Sequence, residues 1–340
     1  MTRDDSQVLA ERAGLRYVEP GSPGYRRVRR GTGFSYLDPD GHTINGEIRR
    51  SIERLVIPPA WNQVWISQDP QGHILATGND NAGRKQYVYH QQWEEIRDTF
   101  KFERLELFGR KLPQLRKRVD SDLRKRGLPR DKVVALSVAV LDRTLIRVGN
   151  ARYVTDNGSY GLTTLTGEHI EVEGRHVRLD FSGKGGAEHQ LVFQDRRLAN
   201  LVSDCQELAG QTLFSYDTPD GTTSSISSSD VNDYLSEALG GPFTAKNVRT
   251  WGASSLVTGE LARATGEQNE DLVRAAIDVA AERLGNTRAV CRDSYVHPKV
   301  LDSYADGALA DIWRRVRAGR WVNRDESALR LLLKPSMIPT

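Results

Sequence analysis

The sequence has little of what builds a disulfide or zinc framework: its 340 residues hold two cysteines, Cys205 and Cys291, far apart and without metal-ligand spacing. Both read as buried or half-buried thiols. Long apolar runs are lacking too. The longest, Val133–Leu141, is nine residues and is interrupted by Ser137, against the roughly 20 that a spanning helix needs. No membrane segment is therefore expected. The first twenty residues carry Arg3, Asp4, Asp5, Glu11 and Arg12 without an apolar stretch, which speaks against a secretory signal and for a cytoplasmic location. There is no Walker loop, no Gly-x-Gly-x-x-Gly after a strand and no His-Glu-x-x-His, so no ATP, nicotinamide or metal cofactor is expected.

What is present is ordinary for a chain that folds in water, with 38% apolar and 27% charged residues and enough length for two or three domains. Lys and Arg (48) nearly balance Asp and Glu (45), but the charge is unevenly spread. Between Lys101 and Asn150 there are 14 basic residues against 6 acidic ones. A basic block in a near-neutral protein is the footprint of a polyanion-binding face. Arg116-Lys117-Arg118 and Arg124-Lys125-Arg126 fit contact with a phosphate backbone. The cluster Arg26, Arg27, Arg29 and Arg30 fits a phosphate or surface contact better than base readout.

Residues 1–95 read as a small, mainly β domain. Phe34–Leu37, Val64–Ile66 and Ile74–Ala76 are short apolar runs separated by the turn signals Asp38-Pro-Asp-Gly41 and Asp69-Pro-Gln-Gly72. Helical periodicity takes over after Trp93, and residues 96–340 read as a larger, mainly α domain. Its buried helix is expected from Lys132 to Val148, halted by Gly149. A β insertion at about 160–195 interrupts the helices, with alternating runs from His169, His176 and His189. The turn Ser182-Gly183-Lys184-Gly185-Gly186 puts a lysine on a glycine-flanked tip. Asp230, after the Ser/Thr-rich stretch Thr222–Ser229, can cap a new helix. The fold class is α+β.

Four segments of the helical part carry dispersed cations and one tyrosine: Leu145-Ile-Arg147-Val-Gly-Asn-Ala-Arg-Tyr153, Ser182-Gly-Lys184, Lys246-Asn-Val-Arg249-Thr-Trp-Gly252 and Leu284-Gly-Asn286 through Tyr295. Taken singly, an arginine here reads as a surface ion-pair member, Lys184 as a solvated hairpin tip and Tyr295 as a packing residue. In this order and spacing the segments resemble the catalytic domain of type IB DNA topoisomerases, in the compact form of poxviruses and some bacteria. Arg54-Leu-Val-Ile-Pro-Pro-Ala-Trp61 and Gly83-Arg-Lys-Gln-Tyr-Val-Tyr89 resemble that family's N-terminal domain, so the likeness runs from about residue 25 to 305.

The resemblance implies that Tyr295 is a nucleophile forming a 3′-phosphotyrosine, that Arg147 and Arg249 stabilise the transferring phosphate, and that Lys184 is the general acid toward the departing 5′-oxygen. It implies double-stranded DNA as partner, held between two domains as by a clamp, a monomer, and supercoil relaxation of either sign by strand rotation in the cytoplasm, at the nucleoid. It also implies that Arg84, Lys85, Gln86, Tyr87, Tyr89 and Tyr153 contact DNA; on an extended segment Tyr87 and Tyr89 point the same way. Two positions depart from the pattern. Asn286 stands where many members carry a histidine; it can donate a hydrogen bond but never be cationic. Asn150 stands where poxvirus relatives have a lysine. His297 is a tempting substitute for the missing histidine but lies off the matching position, and a surface or helix-capping role suits it better. The alternatives are a tyrosine recombinase, which shares the Arg, Lys, Arg, Tyr scheme but usually has His-x-x-Arg where Lys246-x-x-Arg249 stands here, and a noncatalytic DNA-binding clamp.

Overall fold

The computed structural model describes residues 3–208, 210–264 and 268–334. The chain divides into two compact units, one ending at Glu103 and the other beginning at Arg104. The division falls inside a long helix.

The first unit holds α1 (Arg3–Arg12), β1 (Tyr25–Arg30), β2 (Gly33–Leu37), α2 (Gly46–Glu53), β3 (Asn62–Ile66), β4 (Ile74–Asn79), β5 (Lys85–Tyr89) and the start of α3 (Gln91–Asp122). Its strands form one antiparallel sheet in the order β2-β1-β3-β4-β5. The expected strands are all present, and two helices accompany them. Tyr36, Ile44, Ile52, Ile57, Val64, Ile66 and Ala76 make one core. A second forms where Trp93 of α3 meets Leu9, Ala10 and Leu15.

The second unit continues through α4 (Arg130–Thr144), α5 (Ala151–Asn157), β6 (Ile170–Glu173), β7 (His176–Ser182), β8 (Glu188–Gln194), α6 (Arg196–Gln206), β9 (Ser215–Asp217), β10 (Thr223–Ser225), α7 (Ser228–Leu239), α8 (Ala245–Arg263), α9 (Glu270–Leu284), α10 (Arg288–Tyr295), α11 (Pro298–Ala305), α12 (Ala308–Arg315) and α13 (Arg324–Leu333). Helices α4 and α8 are buried on most of their circumference, as an all-round apolar helix must be. Neither they nor any other described helix is long and apolar enough to cross a membrane. The insertion is a three-stranded sheet, β6-β7-β8. Val177, Leu179 and Phe181 of β7 turn inward and pair with Phe193, Leu191 and His189 of β8, the period-two pattern of a half-buried sheet.

Three local expectations need correction. Helix α4 stops at Thr144, not Val148, and Leu145 after it adopts the left-handed conformation with φ 60°. Ser227 rather than Asp230 caps α7; its hydroxyl accepts from the Asp230 amide while the Asp230 carboxylate accepts from Ser227, a reciprocal capping box. Much of the basic block is occupied internally. Arg116 pairs with Asp142 and Glu326, Arg118 with Asp122, Arg124 with Asp120, and Lys125 with Asp122 and Asp131. Lys117 and Arg126 remain exposed.

Candidate active site and nucleic-acid interface

The backbone around Arg147 is held by its own hydrogen bonds. Its carbonyl accepts from the Leu162 amide at 2.9 Å, and that of Val148 accepts from Thr163 N at 2.8 Å and Oγ1 at 3.0 Å. The half-buried guanidinium then points toward the turn after α9: Nη1 donates to the Gly285 carbonyl at 3.3 Å and Nη2 to Asn286 Oδ1. With its oxygen so engaged, Asn286 is left with a buried Nδ2 that has no partner among the described residues. A buried donor without an acceptor is costly, and here it lies beside a cation, where an anionic ligand would complete both.

Arg249 sits on α8 and is only 3% exposed. Its Nη1 donates to the Leu145 carbonyl and Nη2 to that of Leu284 at 3.1 Å. The left-handed Leu145 is thus explained by its partner, since the turn delivers a carbonyl to a buried guanidinium. Gly252, one turn of α8 further on, leaves room for Leu145; a Cβ there would come within 2.6 Å of Leu145 Cδ1. Burial lowers the Arg249 pKa, Tyr295 opposes that by charge and hydrogen bonding, and Arg147 lowers it further. Arginine still stays charged at neutral pH.

Tyr295 ends α10, half-buried, with the Arg249 guanidinium 5.3 Å from its ring centroid. Its backbone is pinned by α8 as well: Ser254 Oγ donates to the Tyr295 carbonyl at 2.9 Å and accepts from the His297 amide at 3.0 Å. One helix therefore supplies both the cation at the ring and the anchor for its main chain. His297 is buried and its Nδ1 accepts from the Lys299 amide at 3.1 Å, so it caps α11. Cys291, one turn before Tyr295, is buried and its thiol is pushed up to about 11 by burial.

Arg147, Arg249, Asn286 and Tyr295 are thus brought together. Lys184 is not in bonded contact with them; it stands exposed on the β7–β8 turn, without an ion pair among the described residues. Tyr153 lies 53% exposed on α5. Asn150 is the N-cap of that helix, its Oδ1 accepting from the Arg152 amide at 2.9 Å, which gives this departure a local structural reason. Sequence reasoning missed Leu145, Ser254 and the carbonyls of Leu284 and Gly285, because each acts through backbone or through a partner far along the chain.

In the first unit the edge strand β5 and Arg84 just before it carry the remaining candidates. Tyr87 and Tyr89 stack at 5.6 Å with a 7° interplanar angle, and Lys85 Nζ lies 5.8 Å from the Tyr87 ring centroid. Arg84 and Gln86 both donate to Asp80 Oδ2, at 2.8 and 2.9 Å. Arg26, Arg29 and Arg30 are exposed on β1. Arg27 is not available as a surface contact: it donates to the carbonyls of Ile57, Pro58 and Trp61 at 2.9, 2.9 and 2.8 Å and so braces the Pro-Pro loop.

Residues 90–315 match the family model of the eukaryotic DNA topoisomerase I catalytic core, and residues 33–80 that of the bacterial DNA topoisomerase IB N-terminal domain. The chain is 29% identical over 282 residues to the DNA topoisomerase 1B of Acanthamoeba polyphaga mimivirus, covering 80% of this chain and 84% of that one. It is 22% identical to the DNA topoisomerase 1B of Vaccinia virus (strain Copenhagen) and to the DNA topoisomerase I of Monkeypox virus, each time over 74% of this chain and 78% of the relative. A catalytic-core match over this much of the chain, preceded by a type IB N-terminal match, makes the protein a member of the topoisomerase I family of type IB.

Proposed function

We propose that this chain is a type IB DNA topoisomerase that relaxes positive and negative supercoils in double-stranded DNA through a transient phosphodiester between Tyr295 and a DNA 3′ end. What supports the assignment of the site is the way two arginines and an unpaired amide donor converge beside a tyrosine whose main chain is also pinned. The catalytic unit then has the fold shared with tyrosine recombinases.

Tyr295 Oη forms a bond to phosphorus while the bond from phosphorus to the 5′-oxygen breaks. The phenolic proton leaves, to water, as the attack proceeds, and the positive charge of Arg249 beside the ring stands against the negative charge that develops on Oη. Arg147, Arg249 and the Asn286 amide donate to the nonbridging oxygens, where negative charge builds in the pentacoordinate transition state. Lys184 gives a proton to the departing 5′-oxygen, which would otherwise leave as an alkoxide. One diester replaces another, so the linkage energy is kept, and attack by the 5′-hydroxyl reverses the step. Between the two steps the cut strand turns about the intact one.

In this reading the N-terminal unit is the DNA-binding domain. Tyr87 and Tyr89 offer a stacked aromatic face, Lys85 a phosphate contact, and Arg84 and Gln86 reach DNA by exchanging Asp80 for it. Tyr153 adds a contact from α5. The protein acts as a monomer, in the cytoplasm and at the nucleoid.

The test is relaxation of negatively and positively supercoiled plasmid in chelator without ATP. Both are expected to relax. Failure with purified, folded protein refutes the proposal. Tyr295→Phe is expected to abolish the covalent adduct while leaving DNA binding largely intact.

A further inference from the structure

His189 is not among the residues given a role above, yet its surroundings are unusual. It is the first of three inward-facing side chains of β8, before Leu191 and Phe193, in a row that is otherwise apolar. It is 5% exposed and stacks on its cross-strand partner Phe181 at 4.8 Å with a 12° interplanar angle. One further pair, Ser182–Glu188, separates it from the Lys184 turn.

Two glycines make the slot that receives the imidazole. A Cβ on Gly183, the residue before Lys184, would lie 2.6 Å from His189 Cδ2. A Cβ on Gly285, the residue before Asn286, would lie 2.6 Å from His189 Nε2. Real side-chain carbons do not approach so closely, so both positions exclude any larger residue while the ring is there. Gly285 also needs its left-handed φ of 61° to end α9. One edge of the ring therefore meets the base of the lysine turn, and the other meets the turn whose carbonyl and amide hold Arg147. Burial first, and then Arg147 and Arg249, lower its pKa and so favour the uncharged ring. A neutral ring can be packed beside two guanidiniums without repulsion.

Outside the turn, its base is held by the Tyr160 amide, which donates to the Ser182 carbonyl at 2.9 Å; its other hydrogen bonds among the described residues are internal. Gly183 N donates to the Ala187 carbonyl at 2.8 Å and Gly186 N to that of Gly183 at 3.1 Å, both within the turn, and Lys184, Gly185 and Gly186 are exposed. Gly185 and Gly186 both have positive φ and give the tip two permissive joints. A lysine on such a tip can be aimed only from its base.

We propose that His189 is a positioning residue for the transesterification: packed between Gly183 and Gly285, its imidazole seats the Lys184 turn against the Asn286 turn that holds Arg147, so that the proton donor and the phosphate contacts are assembled together. The proposal rests on the reading of Lys184 as general acid given above. His189 touches no reacting atom, and its effect passes through Lys184.

The experiment is single-turnover cleavage by the full chain of two duplexes, one with the natural bridging 5′-oxygen at the scissile linkage and one with sulfur there, a leaving group that needs no proton. Lys184→Ala is expected to slow the oxygen substrate far more than the sulfur one. His189→Ala is expected to slow oxygen cleavage on the order of tenfold to a hundredfold, a share of the ~100-fold to 10,000-fold typical of general acid catalysis. Its sulfur cleavage stays within about threefold of the unaltered protein, which also serves as the check that the variant is folded. Gly183→Ala, which presses on the ring from the turn side, gives the same signature. On a Lys184→Ala background neither substitution slows oxygen cleavage further, because residues acting through one group are not additive. Equal slowing of both substrates, additive slowing on the Lys184→Ala background, or unchanged oxygen cleavage in both variants overturns the proposal. If Lys184→Ala itself slows both substrates alike, the general-acid reading fails and takes the proposal with it, a result distinct from the other three.

Discussion

Asn286→Asp separates stability from catalysis at one atom. The substitution keeps the acceptor oxygen that Arg147 uses and turns the buried, unpartnered Nδ2 into a second oxygen. In the free protein a half-buried ion pair replaces a hydrogen bond from a cation to a neutral amide oxygen, for a gain of up to about 1 kcal/mol, and an orphan donor disappears. The cost of desolvating a carboxylate works against both. The expected melting temperature is unchanged or a few degrees higher, since about 1 kcal/mol corresponds to roughly 2–4 °C for a unit of this size. In the reaction the outcome reverses. A donor to the transferring phosphate is worth roughly 2.7–4 kcal/mol by analogy with single oxyanion donors, and a carboxylate about 4 Å from a phosphate oxygen is repelled by about 4 kcal/mol at an effective dielectric constant of 20. The two losses overlap, and 3–4 kcal/mol corresponds to about 100-fold to 1,000-fold in rate. Single-turnover cleavage of an end-labelled duplex, beside a thermal melt of the same preparation, measures both. Cleavage within about threefold of the unaltered protein refutes the placing of Asn286 at the phosphate. A melting temperature lower by more than about 5 °C refutes the view that its amide is unneeded in the free protein.

Gly252→Ala is expected to push Leu145 away from Arg249 and slow cleavage by about tenfold or more with DNA affinity little changed, as judged by single-turnover rates and equilibrium binding. Asp122 lies buried, where desolvation would raise its pKa, but bonds from Lys125, Arg118 and Tyr234 outweigh that and lower it. Its folded pKa is therefore below the unfolded value near 3.9, so its contribution is complete above that value and is lost as pH falls through the folded pKa. Asp122→Asn is expected to lower stability at pH 7, and denaturant melts across pH should show the gap to the unaltered protein narrowing below about pH 4. Lys85→Ala is expected to weaken binding evenly across DNA sequences and to reduce the slope of log affinity against log salt by about 1. A salt slope left unchanged contradicts a phosphate contact there.

The parts of the fold legible in the sequence are those set by local pattern. Strands β7 and β8 show in their alternation, and the glycines around Lys184 mark the turn between them. The same alternation places His189 among inward apolar residues, a signal present in the sequence but without meaning until Gly183 and Gly285 are seen beside the ring. The end of α4 was not legible, because Leu145 turns left-handed to meet Arg249, a partner 104 residues away. The basic block misleads for two reasons. Arg118 and Arg124 find acids four residues away on α3, which helical spacing could have shown. Arg116 is taken up by Glu326, 210 residues distant, which no local pattern reveals. Of the candidate site, residue types and order carried Arg147, Arg249, Asn286 and Tyr295. The supports from Ser254 and the two turn carbonyls required the packing of α8, α9 and α10.

The most direct measurement is to trap the covalent complex on a duplex, digest it with protease and sequence the peptide that carries the nucleotide. The peptide is expected to contain Tyr295, joined to a 3′-phosphate and leaving a free 5′-hydroxyl on the DNA. A nucleotide attached to any other residue, or a 5′-linked one, contradicts the account.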